Sequence, residues 1–177
     1  MLKKKTDFNK RREEKTIVFI TYVDALYTYK KTKKVPNPIH HVLGRIFVSN
    51  KHCIGISFCD EASMPTDGLL IPRGAQLKTP VKKRVEKILS SVESGTVVSI
   101  EWVDIVRFRN GQVPGTLSTV YTEGILSRVA DGFIVIDDPE TIIFSEGQKP
   151  RNHPKKRAKQ YYIPLTLVHN VTQYAKN

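Results

Sequence analysis

TIVFITYVD at residues 16–24 returns eighty residues later as TVVSIEWVD at 96–104, in the same register. Self-similarity at a fixed period decides architecture before any local propensity does. A shift of 80 runs without a gap from Thr16 to Phe58. It pairs Val18 with Val98, Ile20 with Ile100, Tyr22 with Trp102 and Asp24 with Asp104. Further on it pairs Gly44 with Gly124, Ile54 with Ile134 and Ile56 with Ile136. Past the next loop the shift becomes 92, setting Ile71-Pro72 against Ile163-Pro164. The second copy thus carries 12 extra residues, and they fall within 147–160, a segment with six cations and no acid.

Ser99 and Glu101 alternate with Val98, Ile100 and Trp102, the period of a strand with one buried face. By the register, Val18, Ile20 and Tyr22 face a core in the first copy. Further strands read at 42–48, 53–58 and 69–71, and again at 97–107, 121–128, 133–136, 161–167 and 171–174. Asp131-Gly132 reads as a hairpin turn. One helix is expected over 80–92, where Val81, Val85, Ile88, Leu89 and Val92 recur at helical spacing between Pro80 and Gly95. The expectation is a mainly β fold: two tandem small antiparallel β-barrels of the SH3-like or Sm-like class at 16–79 and 96–177, joined by an amphipathic helix within 80–95. Residues 1–15 hold seven cations and read as a flexible basic arm.

The element aromatic-Val-Asp, a glycine-led strand and an Ile-Pro-Arg-Gly turn resemble those of small uncharacterised phage-encoded proteins. Tyr22-Val23-Asp24, Gly44 and Ile71-Pro72-Arg73-Gly74 carry the resemblance in the first copy. Trp102-Val103-Asp104, Gly124 and Ile163-Pro164 carry it in the second, where Leu165-Thr166 replaces Arg-Gly. The resemblance implies a compact β fold and a viral or mobile-element origin. It implies no activity.

The formal charge is +12 over 177 residues. Such an excess attracts polyanions, through counterion release from phosphates or long-range steering. The candidate nucleic-acid contacts are Lys30, Lys31, Lys33 and Lys34 in one loop, and Lys149, Arg151, Lys155, Lys156, Arg157 and Lys159 in the other, with Tyr161 adjacent for base stacking. The aspartates Asp24 and Asp104 read as turn anchors, accepting backbone N–H groups and lying apart, one per barrel. Trp102 and Tyr22 read as core anchors. Cys53 and Cys59 lack zinc-ligand spacing and read as buried thiols in a reducing compartment. No phosphate-loop, dinucleotide or nucleophile-elbow motif occurs, and no cofactor or metal is implied. No apolar run reaches the roughly 18 residues of a membrane span, and the basic start has no apolar signal region. The function expected is a non-enzymatic basic module for RNA or single-stranded nucleic acid with little sequence preference, in the cytoplasm. The alternative is a phage accessory protein, acting in the host cytoplasm, that binds a host protein or sequesters a small phosphorylated metabolite. Unpaired sheet edges leave oligomerisation open.

Overall fold

The computed structural model describes residues 17–58, 67–76, 79–145, 149–152 and 158–174. Both quoted stretches are strands, β1 (Ile17–Val23) and β6 (Val97–Val103). Their alternation is realised: Val98, Ile100 and Trp102 are fully buried, while Ser99 and Glu101 between them are not. Each strand breaks at its aspartate and resumes as a three-residue piece, β2 (Leu26–Thr28) and β7 (Val106–Phe108). Then come β3 (Ile39–Ser49), β4 (Cys53–Ser57) and β5 (Gly68–Pro72), and, in the second half, β8 (Thr119–Ala130), β9 (Phe133–Phe144), β10 (Arg151–Asn152) and β11 (Gln160–Pro164). A 3₁₀ turn follows both β5 and β11, at Arg73–Ala75 and Leu165–Leu167, and β12 (Val168–Gln173) ends the described chain.

The strands pair antiparallel in two sheets, ordered β1-β3-β4-β5-β7 and β12-β6-β8-β9-β11-β2, with β10 on β9. Neither sheet closes into a barrel, which corrects the expected architecture. Closure would need each sheet's last strand to return to its first. Instead β7 takes the free edge of β5, with Leu69 opposite Arg107, and β2 takes the free edge of β11, with Tyr161 opposite Tyr27. Each half thereby lends a strand to the other's sheet. The segment read as 16–79 contributes β2 to the second sheet, and 96–177 contributes β7 to the first.

A single apolar cluster follows from that exchange. It joins Ile54, Ile56 and Ile71 to Ile100, Trp102, Ile134, Ile136 and Ile163. Each such fully buried side chain contributes on the order of 1.5–3 kcal/mol. The helix is shorter than its apolar spacing suggests: α1 spans Lys83–Leu89, and Val85 and Leu89 face the core beside β12. Val81 and Val92, outside the regular turns, still pack against the same cluster. Among the described residues no helix is long and apolar enough to cross a membrane.

Two glycines allow the central strands to cross closely. A Cβ on Gly124 would lie 2.5 Å from Ile136 Cγ2 and 2.7 Å from the Asp137 carbonyl oxygen, and Gly44 is pressed against Ile56 and Ser57 in the same manner. A register shift follows each, between Ile46 and Val48 and between Leu126 and Arg128. Asp131 and Gly132 both have positive φ, 53° and 81°, and make the tight β8–β9 turn.

Candidate functional site

Asp24 and Asp104 occupy matching breaks, one after β1 and one after β6. Each carboxylate accepts the next backbone N–H, Ala25 N–H to Asp24 Oδ1 at 2.7 Å and Ile105 N–H to Asp104 Oδ1 at 2.8 Å. Their own N–H groups donate to Pro38 and Ser118 carbonyls at 3.2 and 3.1 Å. The turn-anchor role is therefore present. The separation expected of them is not, because the strand exchange draws both breaks to one place. Burial raises the carboxyl of Asp104 to about 7, the charge of Asp24 adds to the rise, and the Ile105 N–H opposes it. Burial also raises Asp24, while its Ala25 bond and nearby His40 pull the other way. Both side chains keep some water contact, yet the protein packed around them strips most of the solvation a carboxylate needs. The same pair acts on Tyr161, whose phenol is pushed well above its ordinary value by burial and then by the charges of Asp104 and Asp24. Tyr22 is raised by burial and by Asp24.

The lysine loop at 30–34 is docked rather than free-standing. Thr32 N–H donates to Gln160 Oε1 at 2.6 Å, and the Thr32 and Tyr162 hydroxyls meet at 2.7 Å. Arg128 donates to the carbonyls of Thr32 and Lys33 at 2.9 and 3.1 Å. Lys31 pairs with Asp137 at 2.8 Å, and Lys159 pairs with Asp138 at 3.0 Å. Burial works to raise Asp137, but hydrogen bonds from Lys31 and Gln160 bring it below the usual carboxylate range. Two of the expected phosphate contacts are thus engaged with acids. Lys30, Lys33 and Lys34 are exposed, as are Lys149 and Arg151. Lys155, Lys156 and Arg157, like residues 1–15 and Cys59, lie outside the described residues. Tyr161 does not stand at a stacking surface. It is 5% exposed, and its ring meets Trp102 and Tyr27 edge-on, with centroids 5.6 and 6.3 Å away. Trp102 and Tyr22 are core residues, with the Trp102 indole N–H donating to Thr122 Oγ1 at 3.1 Å.

Composition alone did not single out Arg107 and Arg109. They flank Phe108 of the exchanged strand β7, and with Arg151 they line a cleft of about 750 Å³. Arg107 lies 3.5 Å from Asp67 and over the Phe58 ring. Arg109 and Arg151 are exposed. Their signal in the sequence was only an Arg-x-Arg at a strand end, which gains meaning once the sheet brings Arg151 alongside. Asp24 and Asp104 line neither this cleft nor two further ones, at Tyr27, Tyr121 and Tyr161 and at Arg73 and Lys82. Cys53 is a buried free thiol. Among the described residues, no cluster of three histidine, cysteine or acidic side chains is placed to hold a metal ion. The chain matches no family model, and no curated protein and no solved structure is detectably similar to it.

Proposed function

We propose that the protein is a non-enzymatic basic module that binds single-stranded nucleic acid, RNA above all, with little sequence preference. The observation that carries this reading is the arginine cleft of Arg107, Arg109 and Arg151, with exposed Lys149 two residues from Arg151. Guanidinium groups bind phosphate oxygens in pairs, and a cleft lets them follow a backbone without reading bases. The phosphate-binding surface moves accordingly, away from Lys31, Lys159 and Tyr161. The two halves are read as copies of one SH3-like or Sm-like unit that exchanged the strand after its aspartate. The matched surroundings of Gly44 and Gly124, the paired 3₁₀ turns and the recurring strand bounds support that origin.

Binding to a fluorescent single-stranded oligonucleotide across a salt series tests the reading. Affinity is expected to fall steeply with salt. The pair Arg109→Ala and Arg151→Ala is expected to weaken it about tenfold or more, and Lys31→Ala with Lys159→Ala about twofold or less. Absence of binding at low ionic strength sinks the proposal.

A second reading, a phage accessory protein with a host protein as partner, rests on the outer face of β1 and β3. There Phe19 is 66% exposed and its cross-strand neighbour Leu43 is 64% exposed. The matching positions in the other half are Ser99 and Glu123. Capture from bacterial lysate after nuclease treatment separates the readings, because a protein partner survives the nuclease and a nucleic-acid tether does not.

A further inference from the structure

The third cleft, about 580 Å³, opens where the two halves meet at the Ile-Pro-Arg-Gly turn. Four separate pieces of chain bring basic side chains to it: Lys51 and His52 from the β3–β4 turn, Arg73, Lys82 ahead of α1, and His169 of β12. Among the described residues no carboxylate lines it. The remaining wall is largely apolar, from Pro80, Val103 and Leu117. Arg73 is fixed in place beforehand, its Nε donating to the Asn50 carbonyl at 2.9 Å and its Nη2 to Ser49 Oγ at 2.8 Å.

Three of these side chains, Lys51, His52 and Arg73, have no basic counterpart in the other half. At the matching positions Lys51-His52 becomes Asp131-Gly132, and Arg73 becomes Leu165. Positions that shape the strands agree between the halves, whereas Lys51 gives way to an acid and Arg73 to an apolar side chain. Lys51 and Arg73 are therefore not required by the strand framework that the two halves share. The local electrostatics agree. Burial lowers Lys82, and only Glu101 nearby opposes it. Burial lowers His169, the charge of Lys82 lowers it further, and Glu101 again opposes. Among the described residues the cleft wall itself offers these two basic groups no carboxylate, which suits an anionic occupant.

We propose that this cleft binds a small organic phosphate, with its dianionic head among Lys51, Arg73 and Lys82 and its apolar body against Val103, Leu117 and Pro80. Three converging cations, of which Arg73 is held in place, exceed what a single carboxylate needs and suit a phosphate dianion. The site adjoins the arginine cleft, sharing Gly115 and Thr116 with it, but its basic side chains are different ones and it does not depend on nucleic-acid binding.

Adenosine 5′-monophosphate is the probe, followed by NMR titration of the His169 ring in the full chain. Saturable binding is expected below about 1 mM, with the His169 pKa rising as the bound dianion offsets Lys82. Lys51→Ala with Lys82→Ala, both exposed side chains, is expected to weaken binding about tenfold or more. Arg109→Ala with Arg151→Ala is expected to leave it unchanged, so failure here and failure of the nucleic-acid reading are distinguishable. Three results overturn the proposal: no saturable response up to about 10 mM, adenosine binding as tightly as its phosphate, or inorganic phosphate binding as tightly as the nucleotide. Unchanged affinity in the lysine pair, with His169 signals showing an intact fold, overturns it equally.

Discussion

At the scale of single residues, Asp104 carries a cost that depends on pH. Its folded carboxyl titrates at about 7 against an unfolded value of 3.8. The folded state therefore holds a proton that the unfolded state has released over that interval. The stability tied to this proton is fully present below about pH 4 and is lost as pH rises through about 7. Asp24 shifts in the same direction and steepens the loss. Asp104→Asn keeps an oxygen for the Ile105 N–H and removes the charge. The variant is expected to be more stable than the parent at about pH 8, by roughly 1–3 kcal/mol after screening by the remaining solvent contact, and no more stable at about pH 4. Urea unfolding at the two pH values checks it, and identical slopes of stability against pH in both proteins would refute the coupling. Thr122 offers a test without charge. It accepts the Trp102 indole N–H and meets the Thr141 hydroxyl at 3.1 Å, fully buried. Thr122→Val leaves that N–H without its acceptor and is expected to cost about 1–3 kcal/mol in the same unfolding measurement.

Single residues also explain one departure between the two halves. The first reads Arg73-Gly74 where the second reads Leu165-Thr166. The two 3₁₀ turns meet, and a Cβ on Gly74 would run into the Thr166 carbonyl oxygen. Backbone cannot yield as a side-chain tip can. Gly74→Ala is therefore expected to destabilise by about 1–3 kcal/mol, seen as a lower thermal midpoint, while Thr166→Ala costs far less.

At the scale of elements, the strands were legible and their partners were not. Period-two burial, the Asp131-Gly132 turn and the paired glycines marked β1, β6, β3, β8 and the β8–β9 hairpin from residue types alone. The aspartates read as turn anchors, but the separate strands beyond them were not legible, because Leu26-Tyr27 and Val106-Arg107 are as strand-like as what precedes the turn. Their partners were hidden for a firmer reason. A three-residue strand pairs as well with its own sheet as with a copy of that sheet, since the register and the facing residues are alike. The lysine loop shows the consequence. Read as sequence it is a solvated charge run, but its Thr32 amide is anchored on Gln160 and its carbonyls on Arg128. Gln160→Ala is expected to raise the hydrogen-exchange rate of the Thr32 amide about tenfold or more, with little change in β4 or β5. Equal rates in the two proteins would mean that the loop is not held there.

At the scale of the whole molecule, the exchange makes the halves depend on each other. Residues 96–177 alone would lack β2, leaving the β11 edge bare from Gln160 to Tyr162, and would carry a β7 with no β5 to join. They would also lose Ile54, Ile56 and Ile71 from the common cluster. An open edge beside exposed apolar surface is satisfied most readily by a second copy. Since β7 occupies the place in the second half that β2 occupies in the first, two such fragments can exchange β7 as the intact chain exchanges β2 and β7. The fragment is therefore expected to run as a dimer, or to aggregate, and to show no cooperative unfolding as a monomer. Light scattering together with thermal unfolding of the fragment measures both properties. A compact, cooperatively unfolding monomer would mean that β7 had folded back onto its own β11, giving the closed small barrel that the intact chain forgoes. The intact chain, with both exchanges intramolecular, is expected to unfold in one transition at which both sheets are lost together.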